Sequence, residues 1–210
     1  MKKSIITSLL MSAILISCQN EKKQSNLENE NTQENQVNTE NQINNEKQSV
    51  VKTGQVLVAK STIEDPTLSK SIILVTLIKK GKIYGVMLNK TTDDKIENYV
   101  EDVKSKNIVV GFGGPVGEDL AFIQTYDSTY ENPMKILDGL HFMGDVKSMK
   151  DKLQNNISIN NEMRFFKGMV VWNIDQLDKE LNEWQDWKVI DLSVNEIMSI
   201  NQNSWDKYNK

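Results

Sequence analysis

The chain divides into a part that can build a hydrophobic core and a part that cannot. Residues 19–50 hold nine Asn, six Gln and six Glu, with no Gly, Pro or aromatic residue. Their only aliphatic side chains are Leu27, Val37, Ile43 and Val50. Such a stretch buries too little apolar surface to offset the entropy lost on ordering it. The sequence therefore places one folded domain in residues 51–210, which contain all ten Gly, all three Pro and all four Trp.

The N-terminus has the layout of an export signal. Lys2 and Lys3 precede an apolar run over 5–16 that ends in Leu15-Ile16-Ser17-Cys18. The run is shorter than the about 20 residues of a membrane-spanning helix and matches the apolar region of a secretory signal. Its end resembles the lipobox of bacterial lipoproteins, in which a small residue precedes a lipidated cysteine. We predict a lipoprotein signal peptide over 1–17 and lipidation at Cys18, which makes the membrane a partner. The alternatives are an ordinary signal peptide or an N-terminal helix with a chance cysteine.

Residues 18–50 are predicted to form a disordered tether from the lipidated cysteine. A flexible chain of this length has a relaxed span of about 30 Å. The alternative is an Asn/Gln-rich interaction tract, although the regularly spaced Glu residues oppose stacking. Gln19 rather than Asp follows Cys18, and the usual sorting preference of double-membraned bacteria then favours the outer over the inner membrane. We expect the protein in the bacterial cell envelope.

Composition excludes several kinds of site. One Cys and one His cannot supply an internal disulfide, a cysteine zinc cage or a His-pair metal site. A formal net charge of −4 argues against general affinity for nucleic acid. We therefore expect no metal, no cofactor and no nucleic-acid partner.

The hydrophobic pattern of the domain mixes strands and helices. A polar turn at Lys79-Lys80-Gly81-Lys82 joins two apolar runs into a predicted hairpin, and Ile96, Tyr99, Val100 and Val103 form a helical stripe over 93–103. Asn173 and Gln176 are predicted to cap a helix striped by Ile174, Leu177, Leu181 and Trp184. Antiparallel hairpins among helices favour an α/β sandwich with a mixed sheet. The predicted strands are 54–59, 71–78, 83–88, 107–112, 120–125, 135–142, 163–172 and 187–192, and further helices follow Asp145, with Val146, Met149 and Leu153 on one face, and cover 194–199.

The sequence contains no assembled catalytic set. The glycine-rich run 111–117 fails the dinucleotide fingerprint because Val116 occupies the third glycine position, and no Walker Lys-Ser or Lys-Thr follows it. No GxSxG nucleophile elbow is present. The Asp65-Pro66 pair suits a helix start, and the single His141 is interpreted as a sheet residue.

Five segments and a Trp-rich strand carry a resemblance to a known family. GQVLVAKSTIEDPTLSKSIILV, YGVMLNK, GFGGPVGEDLAFIQ, DGLHFMGD and KGMVVWNIDQLDKEL, followed by WQDWKVID, resemble the YqgE/AlgH family in order and spacing over about 54–205. The resemblance implies a compact α+β fold with a mixed β-sheet flanked by helices. Members are mostly of unknown biochemical function and usually cytosolic, and one branch carries a transcriptional-regulator label. The family-motif residues, which are our candidate site residues, are Asp65, Pro66, Ser71, Gly85, Asn89, Gly113, Gly114, Pro115, Val116, Gly168, Trp172, Gln176 and Leu177.

The chain also departs from the family pattern at polar positions. Thr76-Leu77 stand where the family has Glu-His, Lys70 replaces an Arg, and Lys90-Thr91 replace Arg-Pro. The first functional hypothesis is therefore a non-catalytic binding or scaffolding module with an unknown protein partner. The alternative is a hydrolase with a cleft at the Asp-Pro and Gly-Gly-Pro-Val turns. A transcriptional regulator is least favoured, because an exported acidic domain has neither access to the chromosome nor a basic face for phosphate contacts.

Overall fold

A computed structural model describes residues 49–103, 108–125, 134–142, 146–155 and 162–210. The predicted signal peptide, Cys18 and the tether up to residue 48 lie outside these residues. The described residues belong almost entirely to the domain predicted over 51–210.

The described residues form a ten-stranded, mostly antiparallel sheet with a few helices, as expected of an α+β domain. The strand order is β10-β1-β2-β3-β9-β6-β8-β7, and β5 joins the long strand β9 in a parallel pair and carries β4 at its other edge. The strands are β1 Val56–Ala59, β2 Ile72–Lys79, β3 Lys82–Met87, β4 Thr91–Lys95, β5 Val109–Phe112, β6 Val116–Gln124, β7 Met134–Leu137, β8 Leu140–Phe142, β9 Met163–Asn173 and β10 Trp187–Ile190.

Helices cover the sheet because its central strands are apolar on both sides. Successive residues of a strand point to opposite faces, so Val56 of β1 packs in one cluster and Leu57 in another. The helices are α1 Val146–Gln154, α2 Ile174–Asn182, α3 Val194–Ser199 and α4 Trp205–Tyr208. Helices α3 and α4 cover the first cluster, α2 covers the second, and α1 covers a third cluster around β6 and β9.

The predicted β2–β3 hairpin is confirmed. The two strands pair antiparallel from Ile73 to Lys79, with a register shift after Val75. Their turn has Lys80 at φ 50° and Gly81 at φ 71°. Two successive positive φ angles are typical of the tight turn whose twist matches a hairpin.

The helix predicted over 93–103 is wrong. Thr91–Lys95 is strand β4, which pairs with β5, and only a short 3₁₀ turn over Ile96–Asn98 follows it. Ile96 and Val100 are nevertheless buried, and Tyr99 and Val103 pack beside them. The apolar spacing therefore identified the buried positions, whereas pairing with a neighbouring strand decided the conformation of residues 93–95, the first three of the predicted helix.

Three further predictions are corrected. The single strand over 135–142 is a hairpin of β7 and β8, turning at Gly139 with φ 80°. Asn173 precedes α2, but its side chain makes no capping hydrogen bond. The first helical N–H, that of Ile174, donates to the Gly81 carbonyl. The helix stripe ends early, since α2 stops at Asn182 and Trp184 is exposed.

Candidate functional site

Asp65 and Pro66 organise the loop before strand β2. The Asp65 Oδ1 atom accepts hydrogen bonds from the N–H groups of Thr67 at 2.8 Å and Leu68 at 3.1 Å. The Asp65 carbonyl also accepts from Ser69 at 2.7 Å. These are the contacts of a capping carboxylate at the start of a helical turn, so the side chain is engaged with the backbone of its own loop.

Asn89 clamps the end of the same loop. Its side chain is buried and accepts a hydrogen bond from the Ile72 N–H at 2.8 Å while donating to the Lys70 carbonyl at 2.8 Å. The backbone there needs such support because Lys70 lies at φ 56°, a conformation that side chains rarely adopt. Ser71, the motif residue between them, is fully buried, and its hydroxyl has no partner among the described residues.

Gly113, Gly114 and Gly168 bring two backbones into direct contact, and we call them the glycine cluster. A Cβ atom on Gly113 would lie 2.2 Å from the Gly168 carbonyl oxygen, and one on Gly114 would lie 2.3 Å from the Met169 carbonyl carbon. Gly168 itself has φ 67°. Glycine is therefore required at this crossing by contact and by conformation.

The Gly-Gly-Pro-Val turn is a backbone junction of the sheet. The Gly113 N–H donates to the Lys167 carbonyl, and its own carbonyl accepts from Met87, both at 2.9 Å. Pro115 and Val116 are exposed, and strand β6 begins at Val116. Gly85, the remaining motif glycine, lies where a Cβ would meet Ile73 at 2.7 Å. The turn therefore joins β3, β5, β6 and β9, and its glycines allow close packing.

Hydrogen bonds place Asp65, Asn89 and the glycine cluster in one connected region of the fold. Lys90 links it together, because its Nζ donates to the Ser69 carbonyl at 2.7 Å and its carbonyl accepts from Phe112 at 3.0 Å. However, the Asp65 and Asn89 side chains both bind backbone groups. The geometry thus does not favour the hydrolase hypothesis, which requires these groups to act on a substrate.

Trp172, Gln176 and Leu177 attach helix α2 to the sheet through a buried carboxylate. Glu180 accepts hydrogen bonds from Trp172 Nε1 at 3.1 Å, Trp187 Nε1 at 2.8 Å and Gln176 Nε2 at 2.9 Å. The two indole rings meet edge to face at 5.8 Å, and Leu177 is fully buried beside them. A buried carboxylate with three donors is well satisfied, so this group holds the helix in place.

A second region contains two cations, Arg164 and Lys90, with which no described carboxylate forms an ion pair. A cavity of about 530 Å³ lies between the sheet and the segment after α3, and we call it the cationic cleft. Arg164 and Lys90 line it, together with Asn89, Asn201 and Gln202. Its other lining residues are Leu88, Thr91, Ile108, Val109, Gly111, Met163, Phe165, Phe166, Ile200 and Asn203.

Arg164 lies half-buried in this cleft. Its guanidinium donates to the carbonyl of Ile197 at 3.0 Å and to the carbonyl of Leu88, and it stacks over the Phe166 ring with 5.4 Å to the centroid. Burial lowers the pKa of Arg164 to about 10. The group is still charged at neutral pH, but it has lost much of its hydration.

A larger groove of about 910 Å³ lies beside the β2–β3 turn and the start of α2. Lys79, Lys80 and Lys179 line it, together with Trp184, which is 52% exposed. All three lysines are exposed, so they keep their hydration. The cationic cleft is therefore the more developed candidate site.

Comparison with known proteins identifies the family. Residues 56–210, most of the chain, match DUF179, described as AlgH-like. The chain belongs to this family. It is 29% identical over 153 residues to a UPF0301 protein of Cytophaga hutchinsonii, a match that covers 72% of this chain and 84% of the relative. A UPF0301 protein of Parabacteroides distasonis is 28% identical over 149 residues, covering 70% and 75%.

Two solved structures share the AlgH-like fold. A crystal structure of a Corynebacterium diphtheriae protein has a TM-score of 0.58 and 22% identity, covering 71% of this chain and 81% of that one. The solution structure of the AlgH protein from Pseudomonas aeruginosa has a TM-score of 0.57 and 15% identity, covering 70% and 81%. At these identities the likeness concerns the fold.

The AlgH-like domain also buries polar side-chain atoms that have no hydrogen-bond partner among the described residues. Gln124 on β6 lies directly opposite His141 on β8, so their side chains share a face of the sheet. Neither amide atom of Gln124 nor the Nδ1 atom of His141 has a partner among the described residues. His141 is thus a buried sheet residue, and its position agrees with the interpretation made from the sequence.

Within the described part of the chain, two kinds of feature are not found. No group of three His, Cys, Asp or Glu side chains in that part is arranged to hold a metal ion. No helix in that part is long and apolar enough to cross a membrane.

Sequence reasoning missed Arg164 and Glu180. Arg164 interrupts the strand sequence Met-Arg-Phe-Phe as one charge among apolar residues, which is an ordinary pattern for a strand with one exposed side. Glu180 lies in helix α2 at i+3 from Leu177, on the apolar face. A carboxylate at that position is a usable signal for a buried polar contact, because apolar residues are expected there.

Proposed function

We propose that this protein is a lipid-anchored binding module of the bacterial cell envelope, with an AlgH-like domain held at the membrane by a tether. The observation that carries the proposal is the order of segments at the N-terminus. A charged start, a short apolar run and Ser17 lead to Cys18, and a polar stretch follows at once. Cys18 is the single cysteine of the chain, so its thiol is available for lipid rather than for a disulfide.

Anchoring by acyl chains suits this arrangement physically. Each buried CH₂ contributes about 0.8 kcal/mol, so two or more chains hold a protein durably at a bilayer. A tether with a relaxed span of about 30 Å leaves the domain free to reach a partner above the headgroups. Gln19 favours the outer membrane as the destination.

A binding role is supported by how the motif side chains are used. Asp65 and Asn89 bind backbone groups, and Trp172 and Gln176 bind Glu180. These contacts are internal to the domain, so the motif side chains stabilise the fold and a protein partner would be bound by other parts of the surface. The acidic net charge of the chain does not favour nucleic acid as that partner.

Metabolic labelling tests the anchor. Cells expressing the full chain are fed labelled palmitate with and without globomycin, which blocks the lipoprotein signal peptidase. We expect label on the wild-type chain, none on Cys18→Ala, and accumulation of a larger precursor with globomycin. Ser17→Ala is the matched control, because it keeps a small residue before the cysteine and should label normally. Equal labelling of wild type and Cys18→Ala, or none of either, would refute the anchor.

Chemical cross-linking in intact cells tests the binding role. The wild-type chain should be recovered from membranes with the same partner repeatedly, and Cys18→Ala should recover less of it because the domain is no longer held at the membrane. Recovery of no reproducible partner would count against a binding module.

A further inference from the structure

Arg164 is a half-buried cation on strand β9 that lines the cationic cleft. Two of its five N–H donors reach the carbonyls of Ile197 and Leu88. Among the described residues no carboxylate forms an ion pair with it. A desolvated cation without an anion is costly. A negative group bound in the cleft would therefore offset the desolvation cost of the Arg164 charge.

Lys90 adds a second cation to the same cavity. Its Nζ donates to the Ser69 carbonyl, and burial together with the nearby charge of Lys70 lowers the pKa of Lys90. Lys70 itself lies over the Trp205 ring at 5.5 Å. Like charges gathered without an anion repel one another, so an incoming oxyanion would relieve both the desolvation and the repulsion.

The rest of the cavity is suited to a small organic group. Asn201 and Gln202 line it. Hydrogen bonds position both side chains, because Asn201 Oδ1 accepts from the Asn203 N–H at 3.0 Å and Gln202 Nε2 donates to Thr91 Oγ1 at 3.0 Å. Ile108, Val109 and Ile200 supply an apolar wall. A volume of about 530 Å³ lies in the range of small-molecule sites, which combine apolar walls with a few polar groups.

We propose that the cationic cleft binds a small organic oxyanion, with Arg164 and Lys90 contacting the negative group and Asn201 and Gln202 contacting its polar body. This inference rests on the proposed binding function and names a ligand class for it. A guanidinium is planar and has five N–H donors suited to a carboxylate or phosphate, and the two carbonyls accept from only two of them. The source of the oxyanion is either a soluble metabolite or a lipid headgroup.

The test uses calorimetric titration of the full chain in mild non-ionic detergent with phenyl phosphate at constant ionic strength. We expect a dissociation constant of about 1 mM or tighter. Lys90→Gln should weaken binding about tenfold, the size of one charge-assisted hydrogen bond. Lys52→Gln is the matched control, because it removes the same charge from an exposed residue that does not line the cleft and should bind as wild type does.

Arg164→Lys provides a second variant that keeps the charge but loses the planar fork. It should fold, as judged by circular dichroism, and bind at least tenfold more weakly. Inorganic phosphate should bind more weakly than phenyl phosphate, because it lacks the apolar body. No measurable binding by the wild type, or equal binding by Lys90→Gln and Lys52→Gln, would overturn the proposal.

Vesicles distinguish the two sources of the oxyanion. The full chain is titrated with phenyl phosphate in the presence of phosphatidylglycerol or phosphatidylcholine vesicles. Weaker apparent binding with phosphatidylglycerol alone supports the oxyanion site and assigns it to headgroups, whereas equal binding supports it and assigns a soluble ligand. The titration does not depend on lipid at Cys18, so its failure is distinguishable from a failure of the palmitate experiment.

Discussion

The glycine cluster and the cationic cleft lie on neighbouring parts of strand β9 but use their chemical groups in opposite ways. At the glycine cluster, backbones approach so closely that no side chain fits, and the N–H and carbonyl of Gly113 are both hydrogen-bonded. At the cleft, Arg164 and Lys90 keep charges that no described carboxylate neutralises. The glycine cluster stabilises the fold, whereas the cations of the cleft could bind an anion.

Most family-motif residues therefore lie outside the cationic cleft, where we expect ligand binding. Most of the motif residues pack or position backbone, so they report on how the domain folds. Asn89 belongs to both regions, because it clamps the loop before β2 and also lines the cleft. Substitutions in the glycine cluster should therefore reduce stability, substitutions of the cleft cations should reduce binding, and Asn89 should affect both.

Gly114→Ala should have the largest effect on stability. The new Cβ would lie 2.3 Å from the Met169 carbonyl carbon and 2.5 Å from the Val170 nitrogen, at a φ of 151°. Because backbone atoms cannot move aside like a flexible side chain, we expect a loss of about 4 kcal/mol in the free energy of unfolding. Urea denaturation of the full chain, followed by tryptophan fluorescence, measures it.

The control for this prediction is Gly139→Ala in the β7–β8 turn. Gly139 also has a positive φ, but apart from its chain neighbours no atom of the described residues lies within 4 Å of its added Cβ, so the loss should be only about 1 kcal/mol of backbone strain. Equal losses for the two variants would show that conformation, rather than the backbone contact, accounts for the glycine cluster.

Asn89→Ala should have an intermediate effect. It removes the buried acceptor of the Ile72 N–H and the donor to the Lys70 carbonyl. A buried N–H without a partner costs about 1–3 kcal/mol, so we expect a loss of about 2 kcal/mol by urea denaturation. Asn98→Ala, at an exposed asparagine, should change stability by less than about 0.5 kcal/mol.

A second measurement shows whether Asn89 links the two regions. Asn89→Asp keeps an acceptor for the Ile72 N–H but adds a negative charge at the cleft wall. Its second carboxylate oxygen would face the Lys70 carbonyl, so it should be no more stable than Asn89→Ala. It should also weaken phenyl phosphate binding through repulsion of the oxyanion. Wild-type binding by Asn89→Asp would separate Asn89 from the cleft.

The sequence predicted the elements that depend on local pattern. The β2–β3 hairpin arises from two apolar runs around Lys80-Gly81, and the short helix α3 ends at Ser199 as predicted. The helix predicted over 93–103 is wrong because pairing of Thr91–Lys95 with β5 outweighed the helical spacing of the apolar residues. The strand conformation was determined by a pairing partner distant in sequence, and local periodicity contains no information about such partners.

The sequence predicted the motif turns of the candidate site but not the cationic cleft. The motif turns around Gly113 and Asp65 were recognised as turns from their glycine and capping residues. The cleft was not, because it depends on Arg164 of β9 meeting Lys90 after β3 and Gln202 after α3. These residues are far apart in the chain, and each by itself is an ordinary polar residue.

Lys90→Gln should have the smallest effect on stability. Because burial and Lys70 lower the pKa of Lys90, its charged form is disfavoured in the folded state relative to the unfolded state. The variant loses one hydrogen bond to the Ser69 carbonyl but also removes this unfavourable charge, so the free energy of unfolding at pH 7 should change by about 0.5 kcal/mol or less.

The pH dependence of the free energy of unfolding shows whether the folded domain disfavours the charged form of Lys90. Below the folded-state pKa of Lys90 the ammonium is charged in both states and its unfavourable contribution is fully present. As pH rises through that pKa towards the ordinary value of 10.5, the folded state releases its proton first, and wild-type stability should rise relative to Lys90→Gln. Urea denaturation of both proteins from pH 7 to about pH 10 measures the difference. If the wild-type free energy of unfolding instead falls relative to Lys90→Gln, the folded domain stabilises the ammonium. An anion would then not be required to offset the charge of Lys90.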